Sequence, residues 1–418
     1  PAANLDTGTE HFVVYPAGVI KSTSGQKENN QLVTSFTTVA TGLFMWGRNV
    51  RGELGQNSIG GSPGGPANTG YSSPVQIPGT TWSSLQASGM TRFIGARKSD
   101  GSLWVWGENQ AGGLGLNTVT PGFSSPTQLG TDTTWSSEFQ ISLSSTAIKT
   151  DGTLWTWGTN YAGALGQNSQ TQPTTSSNAG LSSPTQVGTD TTWSKITAGE
   201  YGYAAKMAIK TDGSLWSWGN NYSGDLGQGN KTQYSSPKQV GTDTTWSTIS
   251  GGYSGNIATK TDGTLWMWGN NEMGQVGQNN TTDYSSPRQV PGTTWNISKE
   301  TFASNRASLA IKTDGTLWAW GQGYYGALGL NTGGPTNKIS SPTQVGTDTT
   351  WSKVTVTNAN AYAIKTDGTG WAWGSGASGN LSNVGNNQNI DISSPIQLPG
   401  TWTNIAGLRS SAIAIREI

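Results

Sequence analysis

Ala147-Ile-Lys-Thr-Asp-Gly-Thr-Leu-Trp-Thr-Trp-Gly158 is the stretch that decides the fold. Two short apolar runs flank Asp151-Gly152, and Asp-Gly between such runs signals a tight β-hairpin, read here as a type I′ turn. Trp155 and Trp157 are two residues apart, so both side chains lie on one face of the second strand. A Gly/Asn-rich connection then leads to Ser182-Ser-Pro-Thr-Gln186, a strand whose proline fits its start or an edge. Trp193-Ser-Lys-Ile-Thr-Ala198 opens a fourth strand. Four short strands with almost no helical periodicity make one antiparallel unit.

The unit recurs along the chain. Trp-Gly stands at Trp46, Trp106, Trp157, Trp218, Trp268, Trp320 and Trp373. Six copies carry a second tryptophan two positions earlier, and Phe44 takes that place in the first. A Thr-Trp context supplies Trp82, Trp135, Trp193, Trp246, Trp295, Trp351 and Trp402, so all 20 tryptophans are repeat positions. A period near 50 residues marks a propeller or array and replaces the two or three domains that 418 residues suggest with one closed body. The expected architecture is all-β: a single seven-bladed propeller of four-stranded antiparallel blades over residues 36–418, after an irregular N-terminal arm over 1–35. Ala412-Ile-Ala-Ile-Arg-Glu417 matches the Ala-Ile-Lys-Thr strand but has no Leu-Trp strand after it, while Leu43–Trp46 has no Asp-Gly before it. Pairing the two closes the ring and removes open edges. Ser35–Ala40 competes for the same place, and the C-terminal closure is favoured.

The recurring Ala-Ile-Lys-Thr-Asp-Gly-Thr-Leu-Trp-x-Trp-Gly-x-Asn-x-x-Gly-x-Leu-Gly resembles the regulator of chromosome condensation repeat, and is most similar to copies in bacterial and phage proteins. The resemblance covers about nine-tenths of the chain and implies a seven-bladed propeller. Its members include exchange factors for a small nuclear GTPase, a plant ultraviolet photoreceptor and a bacterial β-lactamase inhibitor, so the fold alone does not choose a function. The exchange factor carries a basic tail, whereas the first 35 residues here hold only Lys21 and Lys27 against Asp6, Glu10 and Glu28. The photoreceptor's Gly-Trp-Arg-His-Thr motif is absent, and the single histidine, His11, lies outside the repeats.

Composition narrows the chemistry. Lys+Arg and Asp+Glu both number 23, so there is no general attraction to nucleic acid or anionic membrane. No apolar run is long enough to span a bilayer. With one histidine and no cysteine, the usual zinc sites and Cys–His catalysis are excluded, and no cofactor is expected. The Lys-Thr/Ser-Asp-Gly turns do not repeat the further oxygen ligands that calcium needs. No acidic pair stands out as a glycosidase site. The expectation is a protein without enzymatic activity.

Variation between copies points to one face. In alternating strands, the connection after Trp-Gly and the one before Ala-Ile-Lys-Thr emerge on the same side of the disc, and both vary in length; the Asp-Gly turns and Gly-Thr-Asp-Thr-Thr linkers emerge on the other. Loops on a rigid scaffold carry binding. The variable face is expected to display Arg51, Tyr161, Tyr222 and Tyr324 from the first connection, with the long segments Ser58–Tyr71 and Ser169–Leu181. The second connection adds Arg92, Phe93, Glu200, Tyr201, Tyr203 and Arg306. Tyrosine and arginine are favoured interface anchors. The constant face, with Lys98, Lys149, Lys210, Lys260, Lys312 and Lys365 beside the turn aspartates, reads as a self-compensated solvated ring.

The leading reading is a structural or interaction propeller of a phage virion, a capsid decoration or tail-associated attachment protein, docked through residues 1–35 onto virion proteins or symmetry mates. A bacterial surface or secreted binder, with a glycan or receptor on the variable face, is the alternative. A carboxylate-dependent glycosidase is the third. No nucleic-acid partner and no membrane insertion are expected.

Overall fold

The computed structural model describes residues 10–15, 32–37, 40–59, 70–87, 92–120, 122–169, 180–198, 205–251, 255–296, 302–303, 306–332, 334, 337–357, 359–375, 391–408 and 411–418. Seven four-stranded antiparallel sheets form the seven blades of a propeller. Blade 3 consists of Trp135–Gln140, Ser144–Lys149, Leu154–Thr159 and Gly180–Gln186, hydrogen-bonded in that order. Blade 2 runs from Trp82 to Gln128, blade 4 from Trp193 to Gln239 and blade 5 from Trp246 to Val290. Blade 6 begins at Trp295, which bridges to Lys312, and ends at Gln344; blade 7 spans Trp351 to Thr401. The first strands of neighbouring blades touch, which places them innermost. The Ser-Ser-Pro strands are outermost, the edge position that proline tolerates.

Blade 1 closes the ring. Ser411–Glu417 lies between Asn404–Gly407 and Thr41–Gly47, with Ala412 opposite Trp46 and Ile415 opposite Leu43. The C-terminal closure therefore holds. The competing segment is engaged elsewhere: Leu32–Thr37 pairs antiparallel with Glu10–Tyr15, Ser35 opposite Phe12. The arm expected to be irregular thus contains a two-stranded sheet, separate from the seven blades.

The Asp-Gly hairpins are not type I′. Gly152 N–H donates to Lys149 O at 3.0 Å, Lys149 N–H donates to Thr153 O at 3.0 Å, and Gly152 has φ +80° while Asp151 stays out of the positive-φ region. This is a three-residue loop, a type I turn followed by a left-handed glycine. Its closure by Lys149 and Thr153 leaves the aspartate an ordinary backbone. Asp151 Oδ1 then accepts Thr153 N–H and Oγ1–H at 3.0 and 2.6 Å, and Thr153 Oγ1 accepts Trp155 Nε1–H at 2.8 Å. The same chain of bonds recurs from Asp100 to Trp104 and from Asp367 to Trp371.

Each trio of tryptophans faces the preceding blade. Trp157 is fully buried and sends Nε1–H to Gly113 O of blade 2 at 2.9 Å. Trp135 packs against both Trp155 and Trp157, with centroids 6.3 and 6.1 Å away. Leu103, Val105 and Leu129 of blade 2 complete the layer. Packing between flat blades supplies most of the core, so the wide indoles do the work that a longer apolar sequence does elsewhere.

The constant-face charges pair differently from expectation. The turn aspartates are committed to the threonine or serine two residues on, and four of the lysines reach the linker aspartates instead: Lys149 to Asp132 at 2.5 Å, Lys210 to Asp190 at 2.5 Å, Lys260 to Asp243 at 2.6 Å, and Lys365 to Asp348. Nor are these lysines freely solvated. Lys149 Nζ sits 4.0 Å from the Trp155 centroid and 5.0 Å from that of Trp135. Burial pushes the Asp132 carboxyl upward, but hydrogen bonds from Lys149 and Thr134 outweigh it and hold it at about 2.

Candidate functional site

The first variable connection begins as a rigid clasp. In Trp-Gly-x-Asn-x-x-Gly-x-Leu-Gly the asparagine folds the loop onto itself: Asn160 Oδ1 accepts Leu165 N–H at 3.0 Å, and its amide nitrogen donates to Ser169 O at 3.2 Å. Asn49, Asn109, Asn221 and Asn271 bind Leu54, Leu114, Leu226 and Val276 in the same way. The glycine three residues on must be glycine. Gly163 has φ +77°, and a Cβ there would lie 2.5 Å from Cα of Ser235 in the next blade. Two residues after the Leu-Gly pair, Asn168 N–H donates to Ser235 O at 2.9 Å. Among the described residues, the loops of blades 1 to 6 are each clamped in this way to the Ser-Ser-Pro strand of the next blade.

Side chains from these clasps, with Arg92 and Arg306 from the second connection, make the variable-face surface. Tyr161 and Tyr222 occupy equivalent positions in blades 3 and 4, and their hydroxyls hydrogen-bond at 2.9 Å. Tyr222 is 60% exposed. The bond to Tyr161 holds its hydroxyl below the usual tyrosine range. Tyr324 in blade 6 meets Tyr325 edge-on at 4.2 Å, with the Arg306 guanidinium 5.3 Å from the Tyr324 centroid. Arg306 Nη1 also donates to Gln322 Oε1 at 3.2 Å. Arg51 is exposed. Arg92 is half-buried between Glu53, 3.5 Å away, and Glu108 at 3.9 Å.

Phe93 does not belong to this surface. It is 1% exposed and packs with Leu103, Leu114 and Trp157, because strand alternation turns it inward directly after Arg92. Glu200, Tyr201 and Tyr203 lie outside the described residues, as do 60–69 and 170–179 of the two long segments. Sequence reasoning missed Tyr325, 39% exposed at φ +55°, which takes the place of Ala111 and Ala162 in equivalent clasps. Comparing those copies would have found it.

Three buried side chains beneath the face were also missed. Glu53, Asp225 and Gln275 share one loop position, and each accepts the N–H two residues back, from Arg51, Ser223 and Met273 at 2.5, 3.1 and 2.9 Å. Burial raises the Glu53 carboxyl and pushes that of Asp225 up to about 6. A neutral glutamine makes the same bond, so the bond itself does not call for an acid, and Gly113, Ala164 and Ala327 hold the position in three other copies without a side-chain acceptor. Lys206 is wholly buried between blades 3 and 4, donates to Ser144 O at 2.6 Å, and is held down at about 7 by desolvation. Among the described residues no three His, Cys, Asp or Glu side chains cluster as a metal site, and no helix is long and apolar enough to cross a membrane. The face offers aromatic anchors, guanidinium groups and exposed hydroxyls on a stiff frame, the materials of protein recognition.

The family model of the regulator of chromosome condensation (RCC1) repeat matches residues 151–205, 212–258, 262–310 and 314–359. Among solved structures, the chain is similar to human WBSCR16, with 19% identity, 89% of this chain and 99% of that one covered, and a TM-score of 0.72. It is likewise similar to yeast RCC1 (Prp20) bound to Kap60, at 18% identity over 91% and 90% of the two chains, TM-score 0.74. Prp20p from Saccharomyces cerevisiae, described with its binding to Gsp1p and histones, matches at 17% identity over 91% and 93%, TM-score 0.73. At these identities the likeness is one of fold.

Proposed function

We propose that this chain, which belongs to the RCC1 repeat family, is a non-enzymatic interaction scaffold whose variable face binds a protein partner. One observation carries the reading: Tyr161, Tyr222 and Tyr324 stand on loops clamped to the next blade, and Arg306 lies against the Tyr324 ring, so the contact surface is preorganised. One protein of the same fold, yeast RCC1 (Prp20), is described bound to Kap60 and with its binding to Gsp1p and histones, which supports protein partners in general. The shared hydrogen bond of Glu53, Asp225 and Gln275 argues against the glycosidase reading, since it gives the buried acids a structural task. Changing Tyr222 and Tyr324 to alanine should abolish partner binding and keep the melting temperature. Retained binding contradicts the assignment.

Within this reading the protein is a virion component, attached through residues 1–35. Support comes from the phage-like repeat and from a two-stranded sheet that no blade uses. Deleting residues 1–35 should remove the protein from purified particles while the propeller still folds. Particles that keep the shortened chain refute the attachment.

A further inference from the structure

Between blades 2 and 3, at the rim, lies a groove of about 470 Å³, a size suited to a small ligand. The half-buried Trp155 indole lines it, with Leu116, Asn117, Gln128 and the Asp132–Lys149 pair. The ring is fixed in place: Nε1 donates to Thr153 Oγ1, Lys149 covers its face, and Trp135 meets it edge-on. Lys149 and Asp132 neutralise each other at 2.5 Å, so their charges cancel within the groove.

Residue 116 sets this groove apart. The equivalent position is Gln56, Gln167, Gln228 and Gln278 in four other copies. There the amide nitrogen folds onto the carbonyl that ends the Ser-Ser-Pro motif, at Gln76, Gln186, Gln239 and Gln289, 2.8–3.1 Å away. Leu116 has no amide to give, so the Gln128 carbonyl lacks that donor. Leu330 makes the same exchange beside Gln344, Asp348, Lys365 and Trp371. Asn117 Oδ1 accepts Ser183 Oγ–H at 3.2 Å, and its amide nitrogen has no acceptor among the described residues.

We infer that the groove at Trp155, and by the same exchange at Leu330 the matching surface beside Trp371, bind a neutral saccharide residue. A hydroxyl both donates and accepts, so neighbouring sugar hydroxyls satisfy the Gln128 carbonyl and the Asn117 amide together, while the C–H face of the sugar lies against Leu116 and the part of the indole that Lys149 leaves open. A proline-rich peptide also suits an aromatic groove. Its prolines carry no N–H, however, and leave the Gln128 carbonyl unanswered. An anion gains little from Lys149, whose charge Asp132 already balances. This site is separate from the protein-binding face and stands without it.

The test presents the full chain to an array of neutral oligosaccharides, then titrates the hits by calorimetry, with decaproline as comparator. The variant L116Q/L330Q puts at each of the two positions the residue that four other copies hold, so its melting temperature should match the parent's. At least one neutral oligosaccharide should bind, and L116Q/L330Q should weaken it tenfold or more. No binding to any glycan, equal binding by the double variant, or preference for decaproline over every glycan overturns the inference.

Discussion

The hydroxyls of Tyr161 and Tyr222 meet at 2.9 Å across the boundary between blades 3 and 4. Two clasps that are sequence repeats of each other thus place their variable side chains in contact. The pair is exposed, so little folding stability depends on it. Tyr222→Ala should lower partner affinity at least tenfold, with Tyr222→Phe keeping most of it, because the ring supplies the contact area. Surface-based binding measurements beside thermal melts check both.

Gly163 and Gly188 give a matched comparison. Both have positive φ, +77° and +59°, but only Gly163 lies against a neighbouring blade; a Cβ at Gly188 meets nothing within 4 Å. Gly188→Ala should cost about 1–2 kcal/mol from left-handed strain. Gly163→Ala adds overpacking against Ser235 and should cost at least about 3 kcal/mol. Denaturant unfolding of the two variants measures the difference.

Lys206 sets a pH dependence on the alkaline side. Its folded value of about 7 lies below the ordinary lysine value near 10.4. Between those limits the unfolded chain holds the proton and the folded chain does not, so stability rises with pH from about 7 to 10. Lys206→Met should flatten that rise. Chemical denaturation at pH 6, 8 and 10 follows it, and an unchanged slope in the variant contradicts the assignment.

The four lysine–aspartate pairs act on the acid side. Asp132, Asp190, Asp243 and Asp348 are held at about 2, below the unfolded value near 3.9. Their contribution is complete above about pH 4 and is lost as pH falls toward 2. Each carboxylate is still about a third exposed, so solvent screening keeps each pair below about 1 kcal/mol. Replacing Asp132 and Asp348 by asparagine should shrink the drop in melting temperature between pH 4 and 2.

The blades were legible because their marks are short-range: Asp-Gly between apolar runs, and tryptophans at fixed spacing. The partners of those marks were not. Asp151 sits two residues from Lys149 in sequence, yet its carboxylate turns back to Thr153 and Lys149 crosses to Asp132. Phe93 follows Arg92 in a loop-like stretch, and only the onset of the strand decides that it faces inward. The groove at Leu116 depends on a contact that glutamine makes in other blades, visible only once the loop and the outer strand are side by side.

Photocrosslinking reports which face of the propeller partners occupy. Benzoylphenylalanine placed at Tyr222 samples that face, and the same residue at exposed Thr131 samples the constant one. In the native setting, irradiation should join a partner protein to position 222 and not to 131. Crosslinks from position 131 alone, or equally from both, contradict binding at the variable face.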